Sequence, residues 1–551
     1  MKAKKVIFIL VLITSQISIF AQSKKQDIKI NPVKNVILLI PDGTSTDLVT
    51  LSRWYNNNMP LAVDKILSGM VKTYNIDNRF PDSAPTSTAY ATGVKTKAPF
   101  IGIDSASAPQ ISIMELARLK GLSTGIVATC EFPHATPADF VCHYNNRESG
   151  KYNHLAKQFI YNSPSLVFAG GYYYLESNKL TDSLKNNGFR LITDIKSFNE
   201  NEKDSVWALF PDYNGSTKYK SFECDRNKDK PNEPSLSEMT QKAINILKQN
   251  DKGFLLMVEG SQIDWACHNN DPYEAVTEFL EFDNAVNVAL KYAETTNTLV
   301  IVCPDHENGG ISIGNKQSNA AFNIANPNKY DNINIKDSII GPLKKLENDK
   351  ISGRRISEMI INSRCANDEN VKKYYYLSDS TVYDKSMNIS TSYPEDKLKD
   401  TIQYILGSSF SSKHYIGWTT TGHAAGDVFL GIYAPKNITR LTGVVENDSI
   451  GKYIAAQLKL GNLKYSTEKY FYSHKKLFKD PEIKIKQINQ DSLFVSKNGK
   501  DIVIYANTNR FKIMEGSKTK YKRLPTVAVC INKGENKIDY YIPQSILNYL
   551  K

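Results

Sequence analysis

A chain of 551 residues with 41% hydrophobic and 23% charged residues has an ordinary globular balance and enough apolar mass for about two to four domains. The formal charge of +12 is scattered over short basic runs such as Lys475-Lys476 and Lys518 to Arg523, which reads as solvated surface and argues against nucleic-acid-specific binding. Seven dispersed cysteines, an odd number, exclude a disulfide scaffold and read as small core residues where they fall inside apolar runs.

Lys2, Lys4 and Lys5 precede an apolar run from Val6 to Ile13, and Ile19-Phe20-Ala21 ends in a small residue. This pattern predicts a secretory signal peptide over residues 1–21, a mature chain starting near Gln22, and a periplasmic or secreted protein. No cysteine near that point suggests a lipid anchor, and no later apolar run is long enough to span a bilayer. Four short apolar runs, Val36 to Ile40, Gly125 to Thr129, Phe254 to Val258 and Leu299 to Cys303, read as strands buried on both faces. The stretch FPDSAPTSTAYATGVKT, Phe80 to Thr96, predicts a helix with Ser83 as N-cap and Pro85 in the first turn. Helical stripes also lead to Gly121 and run from Tyr273 to Ala293. Strand and helix alternate, so the fold class is α/β: a central, mostly parallel sheet with helices on both faces. The polar region 313–414 reads as a cap insertion, Val428 to Tyr433 as the returning sheet pattern, and Ile450 to Leu458 as the last helix. From about residue 463, DIVIYANTNRFKI, TVAVCIN and KIDYYIP predict a small β-rich C-terminal module over 463–551.

Each buried strand is followed by groups that bind cations. Asp42 ends the first, His134 and Thr136 follow the second, Glu259, Asp264 and His268 the third, and Asp305-His306 the fourth. His423 comes later in WTTTGHAAGD. Asp264 and His268 are four residues apart, which on a helix puts them on one face. One such residue is usually a turn former or a satisfied core group. So many carboxylates at one sheet edge would repel one another and lose hydration, and a multi-metal site removes that conflict.

With these residues in view, the chain resembles the alkaline phosphatases from about Asn35 to Leu458. The matching pieces, in family order, are NVILLIPDG, DSAPTSTAYATGVKT, HATPADFVCHYNNR, VEGSQIDWACH, PDHENGG and TTGHAAGD. The resemblance implies a catalytic domain over 22–462 and a phosphomonoester hydrolase with a phosphoserine intermediate at Ser83. It implies two zinc ions, the first on Asp264, His268 and His423, the second on Asp42, Asp305, His306 and the Ser83 oxygen. It implies a third, magnesium-type ion on Asp42, Thr136 and Glu259, with His134 beside it. Arg147 matches the phosphate-binding arginine, oriented by Asp82. His134 and Trp265 mark a His/Trp variant of the third site, which opens it to Co²⁺ or Zn²⁺. Small phosphomonoesters are the implied substrates, and a homodimer is compatible with the resemblance. Cys267 reads as a buried small residue, and His143, His154, His414 and His474 as structural.

Two alternatives remain at this stage. A sulfatase or phosphodiesterase of the same superfamily is one, since Ser83 to Ser87 echoes Ser/Cys-x-Pro-x-Arg, although Ser87 stands where the arginine is required. A secreted binding protein with a degenerate site is the other, and it predicts lost ligands where none is lost.

Overall fold

The computed structural model describes residues 33–148, 152–210, 233–314, 336–349, 352–363, 369–389, 395–489, 491–534 and 538–551. The expected leader and the start at Gln22 lie outside the described residues.

The apolar runs form the middle of one sheet. β1 (Asn35–Pro41) lies between β7 (Phe254–Gly260) and β8 (Thr298–Val302), and β3 (Ser123–Glu131) flanks β7. The other members are β2 (Leu67–Lys72), β4 (Leu166–Gly170), β5 (Arg190–Ile192), β6 (Val206–Leu209), β13 (Val428–Tyr433) and β14 (Gly443–Glu446). The ten strands are ordered β14, β2, β13, β8, β1, β7, β3, β4, β6, β5. All pairings are parallel except those of β13, which runs against both β8 and β2. Side-chain alternation explains the unbroken apolar runs. Ile37 and Leu39 enter one buried cluster with Phe279 and Phe282. Val36, Leu38 and Ile40 enter the other, with Tyr90 and Ile126.

The helices carry recognisable stops. α1 (Ser83–Thr92) is buried along its whole length and ends at Gly93 with φ 70°. Asp82, with φ −145°, is its N-cap, and Ser83 is its first helical residue, which corrects the expected cap by one position. α2 (Ile113–Lys120) has a Ser112–Glu115 capping box and the left-handed Gly121 at its end. α3 (Ala135–Asp139) and α4 (Gln262–His268) are short helices directly after β3 and β7. α5 (Pro272–Ala293) starts with proline at its first position, and Asp271 accepts from the Glu274 amide.

Within the region read as a cap, β10 (Ile311–Ile313) pairs with β11 (Ile416–Trp418), tying its two ends together. Its helices α6 (Gly353–Ser363) and α7 (Glu395–Lys413) reach back to α4 and α5. Arg354 donates to Gln262 Oε1 at 3.2 Å, and Gln403 donates to Glu274 Oε2 at 2.6 Å. A second small ladder, β9 (Glu307–Asn308) with β12 (His423–Ala424), sets His423 opposite Asn308.

Asp448–Gln457 is not the last helix, since Leu463–Tyr470 and His474–Leu477 follow it. Then come β15 (Tyr472–Ser473), β16 (Lys484–Asn489), β17 (Ser492–Lys497), β18 (Lys500–Tyr505), β19 (Thr508–Glu515), β20 (Lys518–Asn532) and β21 (Ile538–Ile542). They form a seven-stranded antiparallel sheet with its own core around Val495, Ile502, Ile504 and Phe511. Val527, Val529, Ile531 and Tyr541 instead join the apolar cluster on one face of the large sheet. No described helix is long and apolar enough to cross a membrane.

Candidate metal centre and active site

Because β1, β3, β7 and β8 are parallel, their carboxyl ends lie along one edge, where ligand sites of such sheets form. Asp42 follows β1, Asp305 and His306 follow β8, Glu259 ends β7, and α4 carries Asp264 and His268. His134 and Thr136 lie at the start of α3, after β3.

The groups gather in three places. In the first, Nε2 of His306 is 3.6 Å from Asp42 Oδ1, 3.4 Å from Asp305 Oδ2 and 3.2 Å from the Ser83 hydroxyl. The amides of Gly43 and His306 hold the other Asp305 oxygen at 3.2 and 2.9 Å. In the second, His268 Nε2 is 3.2 Å and His423 Nε2 3.8 Å from the Asp264 carboxylate. Nδ1 of His268 is 2.6 Å from the Thr421 carbonyl, and Nδ1 of His423 is 3.0 Å from the Pro81 carbonyl. A carbonyl only accepts, so each Nδ1 carries a proton, and each Nε2 of the neutral ring turns a lone pair toward Asp264. Lone pairs facing a carboxylate need a proton or a cation between them. In the third place, Cys130, His134 and Glu259 converge, with the Cys130 thiol donating to Glu259 Oε2 at 3.5 Å.

Electrostatics point the same way. Burial pushes Glu259 up to about 8, helped by the charge of Asp305, and pushes Asp305 up to about 6, helped by Asp264. Asp42 is held well above the usual carboxylate range by burial and then by Asp305, Asp264 and Glu259. Burial also acts on Asp264, but His268 and His423 outweigh it and hold its carboxyl below the ordinary value. Burial works against charge on His268 as well, yet Asp264 raises it to about 9. His134 and His423 fall to about 4 through burial, assisted by Arg147 and His306 respectively.

The residues fit metal ions. The Thr136 hydroxyl and one carboxylate oxygen each of Asp42, Glu259 and Asp305 are buried with no hydrogen-bond partner among the described residues. Leaving such groups unpaired costs about 1–3 kcal/mol each, more when they are charged. Divalent cations among oxygen and imidazole donors remove that cost.

At the mouth, Arg147 donates from one terminal nitrogen to Asp82 Oδ1 at 2.5 Å and from the other to His134 Nε2 at 3.2 Å. Asp82 immediately precedes Ser83, so the guanidinium is held beside that hydroxyl. Trp265 packs edge-on against the His134 ring at 5.9 Å, and Arg354 lies over the Trp265 ring at 5.5 Å. The first two clusters bring together the residues expected for them, around a buried floor with a partly exposed rim of His268, His423 and Arg147. The third instead groups Glu259 and His134 with Cys130, while Asp42 falls in the first cluster and Thr136 lies two residues after His134.

A family profile for alkaline phosphatase matches residues 33–460. The chain belongs to the alkaline phosphatase family. It is 32% identical over 459 residues to alkaline phosphatase 4 of Bacillus subtilis, covering 80% of this chain and 92% of that protein. It is 30% identical over 481 residues to the repressible alkaline phosphatase of Saccharomyces cerevisiae, covering 78% of this chain and 81% of that one. Among solved structures, the cold-active alkaline phosphatase of a psychrophilic Shewanella matches with a TM-score of 0.65 and 28% identity, over 77% of this chain and 99% of its own.

Three residues of this alkaline phosphatase site escaped the reading of the sequence. Asn308 donates to both the backbone and a side-chain oxygen of Asp264, at 2.8 and 2.7 Å, and so fixes that carboxylate. Cys130 looked like a core residue and lies against Glu259; only its spacing of four from His134 could have hinted at more. Gly43 has φ +65°, and a Cβ there would lie 2.6 Å from Asp264 Oδ1 and 2.8 Å from its Cα. Gly43→Ala should therefore destabilise the protein by about 1–3 kcal/mol and weaken metal retention. Denaturant melts of the metal-loaded variant measure this, and an unchanged midpoint would show that the loop relaxes freely.

Stripping the metals should make stability depend on pH in one direction. Between pH 6.5 and 8, folded Glu259 keeps a proton that the unfolded chain has lost, and folded His268 stays protonated up to about 9. The folded state then binds more protons than the unfolded one, so stability falls as pH rises. His134, His423 and His306 are held below the ordinary histidine value, so near pH 6.5 the unfolded chain still binds protons there that the folded one does not, which softens the trend at that edge. By about pH 7.5 they are neutral in both states and the fall is steepest. Melting temperatures of chelated protein should drop from pH 6.5 to 8, and restoring the metals should flatten the profile. A rise in the chelated series would contradict the charge crowding.

Proposed function

We propose that this enzyme hydrolyses phosphate monoesters through a phosphoserine at Ser83. The observation that carries the reading is the placement of the Ser83 hydroxyl 3.2 Å from His306 Nε2, where the Asp42 and Asp305 carboxylates converge, with Arg147 held beside it by Asp82.

On this reading Asp264, His268 and His423 hold one zinc ion, and Asp42, Asp305 and His306 hold a second, next to Ser83. Asp42, Thr136 and Glu259, with His134 beside them, hold a third ion of magnesium type, which the histidine opens to Co²⁺ or Zn²⁺. Bound there, the ions would favour the serine alkoxide and neutralise the departing oxygen. Ser83 lies at the N-terminus of α1, whose dipole also favours negative charge on that oxygen. Its Oγ forms the new bond to phosphorus as the ester bond breaks, and the alcohol takes up a proton. Water then cleaves the phosphoserine and returns the hydroxyl. Arg147 grips two non-bridging oxygens with its planar fork, and Asp82 keeps the fork aimed.

The N-terminal lysines and apolar run support export to the periplasm or beyond after removal of residues 1–21. The matched ligands support a catalytic domain over 22–462 with an insertion at 313–414, followed by the β-rich module 463–551. Turnover of p-nitrophenyl phosphate, the corresponding diester and the corresponding sulfate tests the activity. The monoester should lead by orders of magnitude. Preference for sulfate or diester, or no turnover by metal-loaded enzyme, would defeat the reading.

A further inference from the structure

The third cluster contains a group that the oxygen-rich picture of a magnesium site does not use. Cys130 lies near the end of β3, two residues beyond Ala128, which is paired in register with Glu259. Alternation therefore turns the sulfur to the side on which Glu259 projects. Its Sγ is 3.5 Å from Glu259 Oε2, and ligand atoms of Cys130, His134 and Glu259 all lie within 4.8 Å of one another. All three residues are buried, and Glu259 Oε1 has no hydrogen-bond partner among the described residues. A thiol that only filled apolar space would meet methyl groups on this side. Here it meets a carboxylate oxygen in a cluster whose polar atoms the protein leaves unsatisfied.

We propose that Cys130 is a thiolate ligand of the third ion, and that this site accordingly selects Zn²⁺ or Co²⁺ over Mg²⁺. The proposal rests on the metal-hydrolase reading above. The geometry needs little change: zinc at about 2.3 Å from sulfur and about 2.1 Å from oxygen, with a tetrahedral angle, sets those two atoms about 3.6 Å apart. The observed separation is 3.5 Å. As the metal–sulfur bond forms, the S–H bond breaks and its proton leaves to solvent, as coordination of a thiol requires. Mg²⁺ is a hard ion that demands octahedral oxygen and retained water, so a sulfur in its shell counts against it. Zn²⁺ and Co²⁺ accept sulfur, imidazole and carboxylate together.

The test uses the full mature chain, stripped by chelation and dialysed against Co²⁺ or Zn²⁺ in the presence of excess Mg²⁺. Metal content per chain is read by mass spectrometry, and the cobalt protein is scanned for sulfur-to-cobalt charge transfer in the near ultraviolet. Wild type should hold three Co²⁺ or Zn²⁺ ions and show the band. Cys130→Ser should lose the band, take Mg²⁺ as its third ion, and bind Co²⁺ there about ten- to a hundredfold more weakly. Cys267→Ser, which alters a buried thiol beside the second cluster, should keep the wild-type spectrum. The two other ions, counted in the same samples, report whether each variant has folded. Magnesium as the third ion of wild type without a band, or a band that survives Cys130→Ser, would overturn the proposal. Fewer than two tightly held ions in wild type would instead sink the metal-hydrolase reading, and this inference with it.

Discussion

Ser83→Ala should abolish the covalent intermediate and lower monoester turnover by on the order of a thousandfold or more, while metal content stays near wild type. The side chain removed is one buried hydroxyl, in contact with the imidazole of His306 at 3.2 Å. His306 keeps Asp42 and Asp305 within 3.6 Å, so its cluster stays assembled. The helix does not depend on the hydroxyl either. Asp82 is the N-cap, and the Thr86 amide donates to the Asp82 carbonyl at 3.2 Å. The loss thus falls on chemistry rather than folding. A thousandfold corresponds to about 4 kcal/mol of transition-state stabilisation, and residual activity is expected because Arg147 and the ligand clusters still bind the ester. Acid-quenched wild type given labelled substrate should carry the label on Ser83. Label on Thr86 or Thr88, or full activity in Ser83→Ala, would place the nucleophile elsewhere.

Much of this was legible because sheet and site share one pattern. Val36 to Ile40 is unbroken by polar residues since both faces of β1 are buried, and the same run delivers Asp42 at its end. Parallel strands put such ends together, so four apolar runs with acidic or histidine tails already describe a metal-binding edge. What stayed hidden has equally physical causes. The apolar run Val428 to Tyr433 carries no mark of direction, and β13 proves antiparallel to its neighbours. The helix Leu463–Tyr470 has no fully buried residue and touches the core only through half-buried residues such as Leu463 and Tyr470, too sparse a stripe to read. Ser83 looked like the cap because serine is a strong capping residue, but Asp82 has the extended backbone that the position needs and spends its carboxylate on Arg147. Cys130 and Asn308 gain their roles from partners far along the chain, Glu259 and Asp264, which residue type and spacing alone do not announce.

Arg147→Ala should lower kcat/KM for monoesters by roughly ten- to a hundredfold and for diesters by much less. The guanidinium is anchored by Asp82 at 2.5 Å and His134 at 3.2 Å, next in the chain to Ser83 and at the start of the helix after β3 respectively. A bidentate charge-assisted contact in a partly desolvated site contributes on the order of 1.5–3 kcal/mol. At about 1.4 kcal/mol per decade, that range sets the expected loss. A monoester presents three non-bridging oxygens and a double negative charge, whereas a diester has two, a single charge, and a second ester group whose bulk lies where the fork would close. Arg147→Lys separates charge from shape: it keeps the cation but lacks the planar fork, so it should recover only part of the loss. Removing the arginine also leaves Asp82 without its partner beside the serine, which adds repulsion against an incoming phosphate dianion and acts in the same direction. Charge screening alone predicts that lysine restores most of the activity and that raising ionic strength narrows the gap. Equal losses for monoester and diester, or full rescue by lysine, would show that Arg147 serves as a general positive charge rather than as a clamp on two phosphoryl oxygens.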